Sequence, residues 1–222
     1  MALIVAIDGP SGVGKTTTSK LVARELNLPH IDTGAMYRAI GLAAVRRDID
    51  TRDAAQLETL AANAAIEFVP GDHPRVLLEG EDITSLIRTP EISMAASNVS
   101  AVPAVRRVLV QLQQELGRRN GGVLEGRDIG TKVFPETPHK FFLTARPEVR
   151  AHRRYAELIA RGQEADYESV LADCLVRDTQ DSTRADSPLT WDDTYTIIDT
   201  SDFTIPEVVA AIVKRVHQSR LP

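Results

Sequence analysis

The chain has 222 residues, 43% hydrophobic and 26% charged, an ordinary globular composition long enough for one large domain or a domain with an inserted subdomain. Lys and Arg number 26 against 31 Asp and Glu, a formal net charge of −5, which argues against a nucleic-acid-binding surface because such surfaces are net basic. One cysteine, Cys174, excludes a disulfide framework, and no apolar run approaches the ~18 residues of a membrane helix. The opening MALIVAIDGP has no basic leader region or small-residue cleavage pattern and reads as a buried strand. The expected compartment is cytoplasmic, with no membrane or nucleic-acid partner.

Residues 3–7 form an unbroken apolar run, the pattern of a strand covered on both faces, and end at Asp8 and Gly9. Residues 16–27 carry Leu21, Val22 and Leu26 at helical spacing, 28–32 form a second short strand, and 35–47 read as a helix. Short apolar runs at 122–124, 140–143 and 195–198 complete five strands, mostly separated by helical stretches. That alternation predicts an α/β fold: a five-stranded parallel sheet with helices on both faces. Residues 65–97 break the alternation. Two apolar runs, 66–69 and 75–78, flank a Pro70-Gly71-Asp72 turn, which is hairpin chemistry. Pro90 and Pro103 then punctuate two helical segments, the longer at 104–119. Further helices are expected at 147–161, 167–181 and 207–218, the last opened by the capping pattern Thr204-Ile205-Pro206-Glu207.

Between the first strand and first helix lies Gly9-Pro10-Ser11-Gly12-Val13-Gly14-Lys15-Thr16, a full match to G-x-x-x-x-G-K-[ST]. Glycines allow a turn whose N–H groups point inward as a nest for phosphate oxygens, and the following helix adds its positive end. Lys15 supplies a cation for the β- and γ-phosphates, and the Thr16 hydroxyl suits Mg²⁺; Thr17 extends the candidate set. The ligand expected is a nucleoside triphosphate, ATP. No third glycine follows Gly14, so this is not the dinucleotide fingerprint, and the guanine-reading N-K-x-D motif is absent.

Three further constellations mark an acceptor. Asp32-Thr33-Gly34-Ala35-Met36-Tyr37-Arg38 follows the second strand, and Glu125-Gly126-Arg127-Asp128-Ile129-Gly130 follows the third, so both are expected at the carboxyl edge of the sheet. Arg177, Asp181 and Arg184 are spaced to share a helix face, where Asp181 can hold both arginines. An acidic chain with local arginine clusters suits a small phosphorylated ligand.

These segments, with LEGEDIT at 78–84 and RDTQDSTRADSPL at 177–189, occur in an order and spacing that resembles bacterial cytidylate kinase over nearly the whole chain. The resemblance implies the nucleoside monophosphate kinase fold: a core (1–64 and 98–222), a small antiparallel β/helical insertion for the monophosphate (65–97), and a helical lid (about 147–162). It implies ATP as phosphoryl donor with Mg²⁺, CMP and dCMP as acceptors, and a monomer. It carries base reading to Thr33, Arg106 and Asp128, and grip on the acceptor phosphate to Arg38 and Arg127. Tyr37 belongs to the acceptor pocket, Arg177 and Asp181 to the sugar, and Arg184 to the phosphates. Among Arg150, Arg153 and Arg154 it places the lid's reach to the transferring group, with Arg150 and Arg154 on the ATP side. Thr33 stands where the family often has serine, and Glu125 where some members have aspartate; the role of Glu125 stays open. Two alternatives remain at this point: another small-molecule or nucleotide kinase on the same fold, and a nucleotide-switch module with no acceptor.

Overall fold

The computed structural model describes residues 2–69 and 74–219. In chain order the elements are β1 (Ile4–Asp8), α1 (Lys15–Glu25), β2 (His30–Asp32), α2 (Thr33–Arg46) and α3 (Ala54–Asn63). A hairpin region follows: β3 (Ile66–Val69), β4 (Arg75–Leu78) and β5 (Glu81–Asp82). Then come α4 (Pro90–Ser100), α5 (Pro103–Asn120), β6 (Gly122–Gly126), β7 (Lys140–Thr144), α6 (Pro147–Ala160), α7 (Tyr167–Thr183), β8 (Tyr195–Asp199) and α8 (Ile205–Gln218). The chain divides into two compact units, one holding Ile31–Asn120 and the other Leu3–His30 with the chain from Gly121 onward.

The five expected strands form one sheet in the order β2-β6-β1-β7-β8. Strand β1 runs parallel to β6 and β7, and β7 parallel to β8. Strands β1 and β6 are buried at every position, which is why their sequences show no polar alternation. The outermost strand, β8, is only partly covered: Tyr195 is buried, Thr196 and Ile198 are half-buried, and Ile197 and Asp199 are exposed. Val5, Ile7, Val123, Phe141 and Leu143 of the sheet pack with Val22 and Ala23 of α1 and with Val208, Ile212 and Val216 of α8. Helix α8 begins with the expected capping box, Thr204 N–H donating to the Glu207 carboxylate at 2.8 Å. A smaller core joins α6 to α7 through Ala151, Leu158, Val170 and Cys174.

In the Ile31–Asn120 unit, β3, β4 and β5 form an antiparallel three-stranded sheet. The expected Pro70-Gly71-Asp72 turn lies outside the described residues. Helix α2 crosses α4 closely because Gly41 has no side chain: a Cβ there would stand 3.0 Å from the Ala96 amide nitrogen. Two arginines ending α2 reach the small sheet, Arg46 with a bidentate pair to Glu81 and Arg47 with Glu79. The insertion expected at 65–97 falls inside this unit, together with the unforeseen helix α3, which Asp53 caps by accepting from the Ala55 and Gln56 amides.

The last residue of β1, Asp8, is fully buried. Its Oδ1 accepts from the Ile129 amide at 2.9 Å, and its Oδ2 accepts from the Gly130 amide at 2.9 Å and the Tyr195 hydroxyl at 2.8 Å. Burial outweighs these three bonds and pushes the carboxyl up from 3.8 to about 6. Between those values the folded chain holds a proton that the unfolded chain has lost, so this group's contribution to stability is complete below pH 3.8 and is lost as pH rises through 6. Asp8→Asn cannot titrate. The stability gap between the native protein and Asp8→Asn, measured by urea unfolding, is therefore expected to move against the native protein by about 2 kcal/mol from pH 4.5 to 7.5. A gap independent of pH refutes the assignment.

Candidate active site

The phosphate loop owes its path to glycines. Gly9 adopts φ +146°, and a Cβ there would lie 2.1 Å from the Leu143 carbonyl oxygen. Gly12 adopts φ +81°, and a Cβ there would lie 2.9 Å from the Arg150 carbonyl oxygen. Gly14 stands at the N-cap of α1 and offers no side chain to the helix, so the first-turn amides are left to an anion. Lys15 is buried and donates to the Gly9 and Pro10 carbonyls at 2.7 and 2.6 Å. Burial, then the positive charge of Arg127, holds its ammonium well below its ordinary range, while Glu125, Asp181 and Asp8 oppose that shift. A polyphosphate supplies the negative charge this lysine needs.

The remaining loop residues anchor the turn. Val13 is a core residue whose carbonyl accepts from the Thr200 hydroxyl at 3.1 Å. The Ser11 carbonyl accepts from Arg150 at 3.3 Å, and its hydroxyl from Arg177 at 3.4 Å. Pro10 is buried, and Thr17 is exposed on the first turn of α1.

Thr16 donates to Glu125 Oε2 at 3.0 Å, and His30 Nε2 lies 2.9 Å from Glu125 Oε1. Among the described residues no group of three or more His, Cys, Asp or Glu side chains is placed to hold a metal. A hydroxyl beside one buried carboxylate nevertheless fits Mg²⁺, which takes hard oxygen donors, keeps several waters and relies on substrate phosphates for the rest. Thr16 and Glu125 are the residues that would hold it.

At the end of β6, Arg127 Nε donates to Asp181 Oδ2 at 2.7 Å. Burial disfavours charge on Asp181, yet Arg127, Arg184 and Arg177 hold its carboxyl below the ordinary range. Burial likewise works against Arg127, and Asp181, with Glu125 and Asp178, more than offsets it. The spacing predicted Asp181 holding Arg177 and Arg184 along one helix face. The observed arrangement differs, because α7 ends at Thr183 and Arg184 takes extended geometry with ψ 142°. Arg184 still lies 3.6 Å from Asp181 and 3.9 Å from Asp128, both near-buried, while its Nε donates to the Ser187 carbonyl. The closest cation to Asp181 is Arg127, 54 residues away in sequence, and helical periodicity has no means of revealing it.

In the Ile31–Asn120 unit, the Asp32–Arg38 segment opens α2, which begins at Thr33, two residues before the expected helix start at 35. Asp32 caps it, accepting from the Ala35 amide at 3.0 Å and from Arg38 Nη2 at 2.7 Å. Thr33 and Tyr37, one helical turn apart, are both buried. Arg106 is 2% exposed; its guanidinium stands 5.5 Å from the Tyr37 ring centroid and donates to the Ser100 carbonyl at 3.3 Å. The unit thus gathers Thr33, Tyr37 and Arg106 by itself, with Arg38 on the same helix.

The three arginines of α6 have different surroundings. Arg150 is clamped by a bidentate pair to Asp178 at 2.6 and 3.0 Å and by the Ala145 and Ser11 carbonyls. Arg153 donates to Thr200. Arg154 pairs with exposed Glu157 at 2.9 Å. Asp8, Asp178 and Tyr195 were not foreseen as site residues, and the position of Asp8 directly before the glycine loop was the one signal available.

The family described as "Cytidylate kinase" matches residues 5–218. The chain is 46% identical over 217 residues to the cytidylate kinase of Syntrophotalea carbinolica, covering 97% of this chain and 92% of that one. It is 48% identical over 217 residues to the cytidylate kinase of Mycobacterium leprae, covering 97% and 96%. A crystal structure of an uncharacterised Eubacterium ventriosum protein shares the fold, with a TM-score of 0.53 at 13% identity over 98% of this chain and 99% of that one. With a family match over nearly the full length and relatives 46–48% identical across almost the whole of both chains, the chain belongs to the cytidylate kinase family.

Proposed function

We infer that the protein transfers the γ-phosphoryl group of ATP to CMP, and to dCMP, giving CDP or dCDP and ADP. The observation that carries the reading, beside family membership, is that adjacent parallel strands β1 and β6 end level with each other, one leading to the loop that holds Lys15 on the Gly9 and Pro10 carbonyls and the other to Arg127, which donates to Asp181 at 2.7 Å. Donor-phosphate chemistry and acceptor-phosphate chemistry thus meet within one compact unit.

Phosphoryl transfer asks the protein for in-line positioning and cancellation of charge. Lys15 and the amides of the glycine loop take the donor phosphates. Mg²⁺, held by Thr16 and Glu125 with the phosphates, supplies charge neutralisation when bound. Arg127, Arg184 and Arg38 hold the acceptor phosphate against its repulsion by ATP. No general base is invoked, because a monophosphate oxygen is already ionised near neutral pH. Asp128 accepts from the cytosine N4 amino group, Arg106 donates to N3 or O2, and Thr33 completes the base contacts. Tyr37 lines the acceptor pocket, and Arg177 and Asp181 hold the sugar. Uracil sets a C4 carbonyl against the Asp128 carboxylate, a mismatch that a buried site can reject by roughly 10⁴-fold.

In the lid, about 147–162, Arg154 is the arginine that can be redirected at least cost, since a pair to an exposed carboxylate is weak. Arg150 braces the loop through Ser11. The inserted subdomain at 65–97 serves the monophosphate, and closure excludes water from the reacting phosphates. No helix among the described residues is long and apolar enough to cross a membrane; we place the protein in the cytoplasm, acting as a monomer.

A coupled ADP-release assay with MgATP tests the activity. Rapid turnover is expected with CMP and dCMP, weak turnover with UMP, and almost none with AMP or without acceptor. Equal rates with UMP keep the kinase and remove the base-reading roles, whereas release independent of every monophosphate favours a nucleotide switch. Lys15→Ala is expected to lower kcat by about 10²-fold or more, and normal turnover in that variant removes Lys15 from the reaction. Arg127→Ala is expected to raise the CMP KM and lower kcat, each by about tenfold or more. Unchanged values for both, with a native circular dichroism spectrum, take the acceptor phosphate away from Arg127.

A further inference from the structure

Asp8 is given no contact with either substrate above, yet its carboxylate accepts three hydrogen bonds from two other segments. Parallel pairing sets Asp8 beside Gly126 on one side and Phe142 on the other. Its backbone leads directly into the phosphate loop at Gly9. Its two oxygens grip successive amides, Ile129 and Gly130, which open the short helical turn Ile129–Val133 immediately after Asp128. The turn closes on Asp128, whose carbonyl accepts from the Lys132 and Val133 amides at 2.9 and 3.2 Å. The Tyr195 hydroxyl, from the start of β8, is the third donor to Asp8. Gly130 makes this approach possible: a Cβ there would stand 2.5 Å from the Tyr195 oxygen. The Lys140 ammonium lies 5.8 Å from the Tyr195 ring centroid and donates to Thr194.

A buried carboxylate is a poor choice for stability alone, because its charge is costly to desolvate. What it adds over a neutral side chain of the same size is two equivalent acceptor oxygens. An asparagine at position 8 has one acceptor oxygen, and its amide group would meet the Gly130 N–H donor to donor.

We propose that Asp8 is a positioning residue that fixes Asp128 relative to the phosphate loop, with the Tyr195 hydroxyl as its support. One carboxylate then sets the distance between the loop that carries ATP phosphates and the residue that meets the acceptor base. This inference rests on the reading of Asp128 as the cytosine contact. A loosened grip on Ile129 and Gly130 leaves the phosphate loop intact and blurs base recognition, so the signature is selective.

Steady-state kinetics with CMP and UMP on the native protein, Asp8→Asn, Tyr195→Phe and Asp128→Asn test it. Asp8→Asn is expected to raise the CMP KM about tenfold and reduce the CMP-over-UMP preference about tenfold, with the MgATP KM changed less than about twofold. Tyr195→Phe removes one of three bonds and fills the same space; about a threefold shift in the same two quantities is expected. Unchanged CMP KM and preference in both variants, while Asp128→Asn abolishes the preference, overturns the role of Asp8 and leaves base reading standing. A preference that survives Asp128→Asn overturns the base reading and this inference with it. Equal rises in the KM of CMP and MgATP also overturn the positioning role, as does an Asp8→Asn chain that fails to fold beside a silent Tyr195→Phe.

Discussion

Strand β1 pairs with β6 so that Asp8 stands level with Gly126. Much of the chemistry of the larger unit depends on that register. Two parallel strands that end together send their following segments out from the same edge, one as the glycine loop and the other as Arg127 and Asp128. Sliding one strand by a residue would turn each side chain of that strand to the opposite face. Full burial of both strands makes such a slip expensive. Hydrophobic packing therefore fixes the placement of charges that would not otherwise assemble.

Those charges are not balanced by chance. Lys15, Arg127, Arg177 and Arg184 converge on a region whose carboxylates are Asp8, Glu125 and Asp181. A cluster of desolvated cations costs stability, and each carboxylate offsets part of that cost. Asp181 holds Arg127 in place by a 2.7 Å bond from its Nε. Arg150 and Asp178 do the same for the back of the loop. The arginines are oriented before any phosphate reaches them, and preorganisation of this kind is what makes a cationic site catalytic rather than merely attractive.

How much of this was legible in the sequence depends on whether a feature is local. The five strands and most helices could be read from apolar runs and periodicity, and the phosphate loop from its spacing, because those signals lie within a few residues of one another. The start of α2 was placed two residues late, since Asp32 and Thr33 look like loop residues until Asp32 is seen capping. The pairing of Asp181 was read along its own helix because i and i+4 are the neighbours a sequence displays. Arg184 does stand 3.6 Å from it, but the shorter bond, from Arg127, is brought by the sheet. The partners of Asp8 were hidden for the same reason: positions 129, 130 and 195 come from two other segments. The roles of Thr33, Arg106 and Asp128 came from family resemblance, because nothing in their spacing announces a base-binding pocket.

The bonds from Lys15 to the Gly9 and Pro10 carbonyls bear on the end of the catalytic cycle. A buried ammonium with no alternative partner would cling to a departing nucleotide, because release would strand its charge. Here the loop's own oxygens stand ready to receive it. ADP departure becomes an exchange of acceptors rather than a bare loss, and the step that often limits a kinase, product release, is eased by two carbonyls that never touch the reaction.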